Sequence, residues 1–133
     1  MTWMNVVAML VWTGVGALLL FGLMFLDSVF TKYKDITEIK NGNVAVTLRF
    51  VMKLYAQGYI LSQAIVKSND LWLALLMSAV SFVILFIVEM IVEIVLKSGF
   101  ALDLAQGTQE GKVAYALLSG SLHVVGALIL GAL

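Results

Sequence analysis

The sequence contains no cysteine and no proline. Without cysteine there can be no disulfide, thiolate metal site or thiol nucleophile, and the redox compartment stays undetermined. Without proline, any bend in a helix has to come from glycine or serine. Charge is scarce too: eight Lys and Arg against eight Asp and Glu leave a net charge of zero. That balance gives no footprint for nucleic acid or for broad attraction to anionic surfaces. No nucleophile–base pair, Gly-rich phosphate loop or metal-ligand spacing occurs, and the polar stretches are too short for a catalytic domain. Neither an enzyme nor a cofactor is expected.

Apolar residues are what the chain has in excess. They make up 62% of its 133 residues, with a mean hydropathy of +1.07, against roughly 45–50% in ordinary globular domains. A single domain of this size has no core large enough to hide them from water; a lipid bilayer removes the need. Crossing the hydrocarbon takes about 20 apolar residues in a helix. Four stretches qualify: Met4–Leu26, Val44–Val66, Leu71–Leu96 and Val113–Leu133. The first lacks a basic n-region over Met1–Asn5 and an A-x-A site after it, so it reads as a retained membrane helix and not a signal peptide. Between the stretches lie a polar loop (Asp27–Asn43), a tight turn (Lys67–Asp70) and a second polar loop (Lys97–Lys112). The turn is short enough to make the second and third helices antiparallel neighbours.

The basic residues orient these spans. Lys32, Lys34, Lys40, Arg49, Lys53, Lys97 and Lys112 fall on the side of the two polar loops, and only Lys67 falls on the other. Seven against one predicts cytoplasmic loops, with both termini and the Lys67–Asp70 turn outside. Trp3 and Trp72 then share the outer interface. The expected fold is therefore an all-α membrane protein, one domain over residues 1–133, with four transmembrane helices.

The two loops end alike. Ile39-Lys40-Asn41-Gly42-Asn43-Val44-Ala45-Val46 and Thr108-Gln109-Glu110-Gly111-Lys112-Val113-Ala114-Tyr115 align at an offset of 69, which lays the first helix on the third and the second on the fourth. This predicts two parallel repeats, about 1–66 and 71–133, related about an axis along the membrane normal. At each junction Gly42 or Gly111 stands beside the candidate caps Asn41, Asn43 or Thr108, where a loop turns into a helix. Helix capping explains those residues; a lipid phosphate on the outward-pointing amides is the functional alternative.

The stretch Phe25-Leu26-Asp27-Ser28-Val29-Phe30-Thr31-Lys32, followed by Asp35-Ile36-Thr37-Glu38-Ile39-Lys40-Asn41-Gly42-Asn43-Val44-Ala45, resembles the first half of the small bacterial membrane proteins grouped as domain of unknown function 350. Glu110-Gly111-Lys112-Val113-Ala114 resembles the motif before that family's last helix. The resemblance spans nearly the whole chain and rests on those two short motifs. It implies a four-helix, multi-pass inner-membrane protein of uncharacterised activity. Relatives often lie beside envelope-stress genes, which associates the family with an envelope role. Lys112 departs from the Asn favoured in the motif, and Arg49 and Lys53 are unusual charges for the second helix.

Those two bases form one half of a predicted intramembrane cluster. Arg49 and Lys53 lie four residues apart on the second helix, and Glu89 and Glu93 four apart on the third, so each pair shares a helix face. Gln57 and Gln63 fall near the first stripe and Ser78 and Ser81 near the second. Counting from the loop ends of antiparallel helices pairs Arg49 with Glu93 and Lys53 with Glu89. Only thirteen residues separate Lys53 from Lys67, about 20 Å of helix, so Lys53 belongs inside the bilayer. A lone charge at a helix centre costs roughly 2.5–3.5 kcal/mol, which pairing relieves. The ladder is expected to be either a structural seam between the second and third helices or a proton or cation path. His123, alone in the middle of the last span, reads as a hydrogen-bonded packing residue that could instead titrate near neutral pH.

Small residues at helix-contact spacing (Ala116 with Gly120, Gly58 with Ser62, and Gly14, Gly16 and Gly22) fit packing within the chain or in a homo-oligomer. Two functions follow as expectations. The first is a self-assembling membrane-stress scaffold that docks a soluble cytoplasmic partner on Thr31–Asn43. The second is an oligomeric channel or small transporter whose path runs along Lys53, Gln57, Ser78 and Glu89.

Overall fold

The computed structural model describes residues 2–31, 33–68 and 70–133. Six helices follow one another: α1 (Trp3–Phe30), α2 (Asp35–Lys40), α3 (Val44–Ser68), α4 (Leu71–Phe100), α5 (Leu104–Gln109) and α6 (Val113–Ala132). No strand occurs among the described residues. Of the long helices, α1, α4 and α6 are each long and apolar enough to cross a membrane, which makes this a membrane protein. The 25-residue α3 is as long, but Arg49, Lys53, Gln57, Gln63 and Lys67 dilute its apolar character.

The short elements are built by local chemistry. Asp70 Oδ1 accepts from the Leu73 amide (3.2 Å) to start α4, and Asp103 Oδ1 accepts from Gln106 (3.1 Å) to start α5. Asn43 Oδ1 accepts from Val46 (3.3 Å) at the head of α3. Each satisfies an otherwise orphaned amide. Of the three candidate caps, Asn43 is the side chain that caps. Asn41 instead closes the end of α2, Lys112 makes no side-chain cap, and Thr108 is buried within α5. Gly42 and Gly111 sit at φ of +80° and +88°, the left-handed conformation that a helix end followed by a sharp turn requires.

Two pairs of helices recur at one interval along the chain. The bounds of α2 and α5 differ by 69 residues at both ends, and α3 and α6 begin the same interval apart. At the centre, α3 and α6 lie side by side in the same direction over their whole length. Asn43 Nδ2 donates to the Gln109 carbonyl (2.8 Å), Arg49 reaches Ser119, Gln57 reaches His123, and Lys67 Nζ donates to the Gly131 carbonyl. Glycine permits this approach: a Cβ on Gly131 would stand 2.5 Å from the Tyr59 ring. This is the most extensive helix pairing in the chain, and the antiparallel α3–α4 contact expected to be the main seam comes second. Small apolar clusters fill the interior, such as Ala56, Ile60, Leu85 and Ala127. Large apolar side chains cover the outside, among them Phe21, Phe25, Leu76 and Ile94, the inverse of a water-soluble domain.

Two boundaries differ from the sequence reading. Asp27 was expected to open the first loop, yet α1 runs on to Phe30 and buries it; α4 likewise continues past Lys97 to Phe100. A charge after a long apolar run marks a helix exit only when no partner awaits it, and Asp27 has two.

Candidate functional site

The buried polar groups gather where α1, α3, α4 and α6 meet. Asp27, 2% exposed, accepts from Arg49 Nη1 at 3.2 Å and also from Lys53 Nζ. Arg49 and Lys53 sit one turn apart, so one carboxylate with two oxygens serves both. Arg49 Nε spends a further donor on Ser119 Oγ at 3.0 Å. Pairing and hydrogen bonding together offset the penalty of removing three charges from water.

Deeper along the helices lies a second group. His123 is fully buried, with Nδ1 2.9 Å from Glu89 Oε2 and Nε2 2.8 Å from Gln57 Oε1. With the Gln57 oxygen facing the ring, Nε2 must carry a hydrogen. The imidazole thus bridges Glu89 of α4 and Gln57 of α3 from its place on α6. Gln57 Nε2 is buried with no hydrogen-bond partner, as is Ser78 Oγ, three turns from Glu89 toward the other end of α4.

A vestibule of about 170 Å³ connects the two groups to the loop end, lined by Asp27, Arg49, Lys53, Glu89, Glu93, Thr31 and Tyr33 among others. The Tyr33 hydroxyl is buried here without a partner, and burial pushes it up to about 12 despite the nearby Arg49. Asp35, at the start of α2, is 2% exposed and its Oδ1 is also unpartnered. Burial raises this carboxyl to about 6, against the opposing pull of Arg49.

The geometry corrects the predicted pairings. Arg49 and Lys53 meet Asp27 of α1 in place of Glu93 and Glu89. Glu89 takes His123, and Glu93 is half-buried on the vestibule wall. Gln57 joins the chain. Gln63 is half-buried with its Cγ beside Gly131, and Ser81 is half-buried. Lys112 stays exposed over the Tyr115 ring, 5.2 Å from its centre. Lys34 and Lys40 are exposed, and Lys32 lies outside the described residues. Asp27 and Ser119 were missed. Both carried a signal: Ser119 stands four residues before His123 on one helical face, and Asp27 follows a buried Leu23 and Met24 at helical spacing. Among the described residues, no three His, Asp or Glu side chains cluster closely enough to hold a metal ion.

The model of a family described as Domain of Unknown Function (DUF350) matches residues 1–133, the whole chain. The chain belongs to that family. No curated protein and no solved structure matches it. In this DUF350 protein both glycine junctions act as turns into α3 and α6, while the charges of α3 turn inward to the centre.

Proposed function

We propose that this DUF350 protein is a four-span, multi-pass inner-membrane protein, without catalytic activity, that moves protons through its centre. The reading of α3 as the fourth span rests on its length and on the burial of Arg49, Lys53 and Gln57 against other helices, which leaves its outer face to lipid. The excess of Lys and Arg at the α2 and α5 ends supports termini outside and a vestibule open to the cytoplasm. The matching intervals of α2 with α5 and of α3 with α6 support a duplicated origin of the two halves.

One observation carries the proton reading: the Glu89–His123–Gln57 chain, buried at mid-membrane depth behind a vestibule walled by charge. Intramembrane ionisable groups are costly and commonly mark such paths. A proton entering past Glu93 would reach Glu89, pass to His123, and leave toward Gln57 and Ser78, whose unspent polar atoms can hold water. The test is reconstitution in liposomes carrying an internal pH dye and an imposed potential. Proton entry well above that of empty liposomes is expected, and Glu89→Gln or His123→Gln should remove most of it. Flux equal to empty liposomes would overturn the reading.

A second reading, self-assembly, is supported by Gly14 and Gly22, which pack against nothing within the chain on the exposed face of α1. Crosslinking through cysteines placed at 14 and 22 should trap dimers in membranes; monomers alone would dismiss it. A soluble partner docking on Thr31–Asn43 remains the companion of that scaffold reading, with Lys34 and Lys40 as its exposed bases.

A further inference from the structure

A second cavity lies away from the charged centre, in a groove between α1, α2 and α3. It measures about 480 Å³, within the range of small-molecule sites. Phe21, Phe25 and Val29 of α1, Ile36 of α2 and Phe50 of α3 form its apolar walls. From Phe21 to Val29 the α1 wall is about 12 Å long, so the groove runs along the helix axis. Phe25 is 70% exposed and Ile36 58%, which leaves the groove open sideways. Its polar lining comes from residues at or beyond the last turns of α1: Ser28, the exposed Lys34 and Thr37, and the buried Asp35, whose side chain lies beneath the surface while the Lys34 ammonium stays at it. Apolar along the membrane helix, it ends in a cation where the chain leaves the bilayer.

We propose that this groove holds one acyl chain of a phospholipid, with the lipid phosphate on Lys34. The complementarity is twofold. The apolar walls match a hydrocarbon tail, and the lysine ammonium matches a phosphate oxygen at headgroup level, where its long stem can lie along the apolar surface. The second half of the chain provides an internal comparison. The position matching Lys34 there is Asp103, the one matching Met24 is Glu93, and the one matching Phe50 is Ser119. Asp103 pairs with Lys97 at 3.6 Å. The first-half groove has its own carboxylate, Asp35, opposite Leu104 in the second, but Asp35 is buried and Lys34 is the exposed charge at the groove's end. In the second half Asp103 puts a carboxylate there and Glu93 another along the wall, so the site belongs to the first half alone.

The experiment is native mass spectrometry of the full chain released from mixed micelles containing phosphatidylglycerol, with separate additions of a diacylglycerol and of inorganic phosphate. One retained phosphatidylglycerol per chain is expected. Lys34→Glu should cut retention by about tenfold, the worth of one charge-assisted contact. Val29→Trp, which fills the groove, should abolish it, and Ser98→Trp at the matching place in the second half should leave it unchanged. Equal retention in Lys34→Glu and Val29→Trp would overturn the proposal. So would displacement by inorganic phosphate alone, which would mark a plain anion site. A dimer lost with Val29→Trp, in place of a bound lipid, would assign the groove to a second copy and overturn it as well. The Lys34 variant changes an exposed side chain, so its result stands even if Val29→Trp fails to fold.

Discussion

His123 Nδ1 lies 2.9 Å from Glu89 Oε2, although 34 residues separate them. The contact ties α4 to α6, and the other ring nitrogen ties α6 to α3 through Gln57. One imidazole therefore fixes the relative positions of three helices. Replacing it with Phe keeps a ring in the site, somewhat larger, but leaves the Glu89 carboxyl and the Gln57 oxygen buried without partners. His123→Phe should lower unfolding free energy by about 1–3 kcal/mol, read by denaturant titration in micelles. A loss no larger than a few tenths would show that water already serves those atoms.

Asp27 neutralises two bases, and this makes its loss asymmetric. Asp27→Asn should destabilise the protein by about 3–5 kcal/mol, because Arg49 and Lys53 stay buried with no carboxylate between them. Removing all three charges together, as Asp27→Leu, Arg49→Met and Lys53→Met, should recover most of that loss. If the single variant is as stable as the wild type, the bases have found water or headgroups and the triad does not exist in the membrane.

Asp35 gives stability a pH dependence of opposite sign to that of a salt-bridged acid. Its carboxyl holds the proton more tightly folded, at about 6, than unfolded, near 3.8. Such a group stabilises fully below the unfolded value, and that contribution is lost as pH rises through 6. Thermal stability should therefore fall between pH 4 and pH 7, and Asp35→Asn should flatten that fall and add about 1 kcal/mol at neutral pH, after screening at the helix mouth. An unchanged slope in the variant would assign the dependence to another group.

Close approach at Gly107 sets a third kind of limit. A Cβ there would stand 2.1 Å from the Tyr115 ring, whereas one on Gly14 would meet nothing. Gly107→Ala should cost about 1–3 kcal/mol by overpacking, and Gly14→Ala should be neutral or slightly stabilising, as Ala favours a helix over Gly. Comparable unfolding midpoints for the two variants would contradict this.

Much of the architecture was legible because hydrocarbon demands length. Val44–Val66 and Leu71–Leu96 fall inside helices and Val113–Leu133 overruns α6 by one residue, and the Gly42 and Gly111 junctions were visible as turns. The burial of Arg49 and Lys53 followed from how little helix separates Lys53 from Lys67. Their partner did not follow. Depth counting compared only the antiparallel neighbours α3 and α4, and so offered Glu89 and Glu93. It left out α1, because Asp27 at the edge of an apolar run looks the same whether it faces water or a buried arginine. His123 is the buried, hydrogen-bonded residue the sequence suggested, but its partners were not legible. Its carboxylate lies on another helix, and sequence spacing carries no information about contacts between helices that no tight turn joins until their packing is known.

The centre of the protein is assembled from unlike contributions. The first half supplies Asp27, Arg49, Lys53 and Gln57; the second supplies Glu89, Ser119 and His123. Neither set balances its own hydrogen bonds, so a chain severed in the turn before Asp70 yields two fragments that each carry unanswered polarity into lipid. Synthesised apart, each should be a target for proteolysis; produced together, they should rescue one another. A ribosome making this protein faces the same interval, since the imidazole that Gln57 awaits is not yet translated when α3 emerges from it.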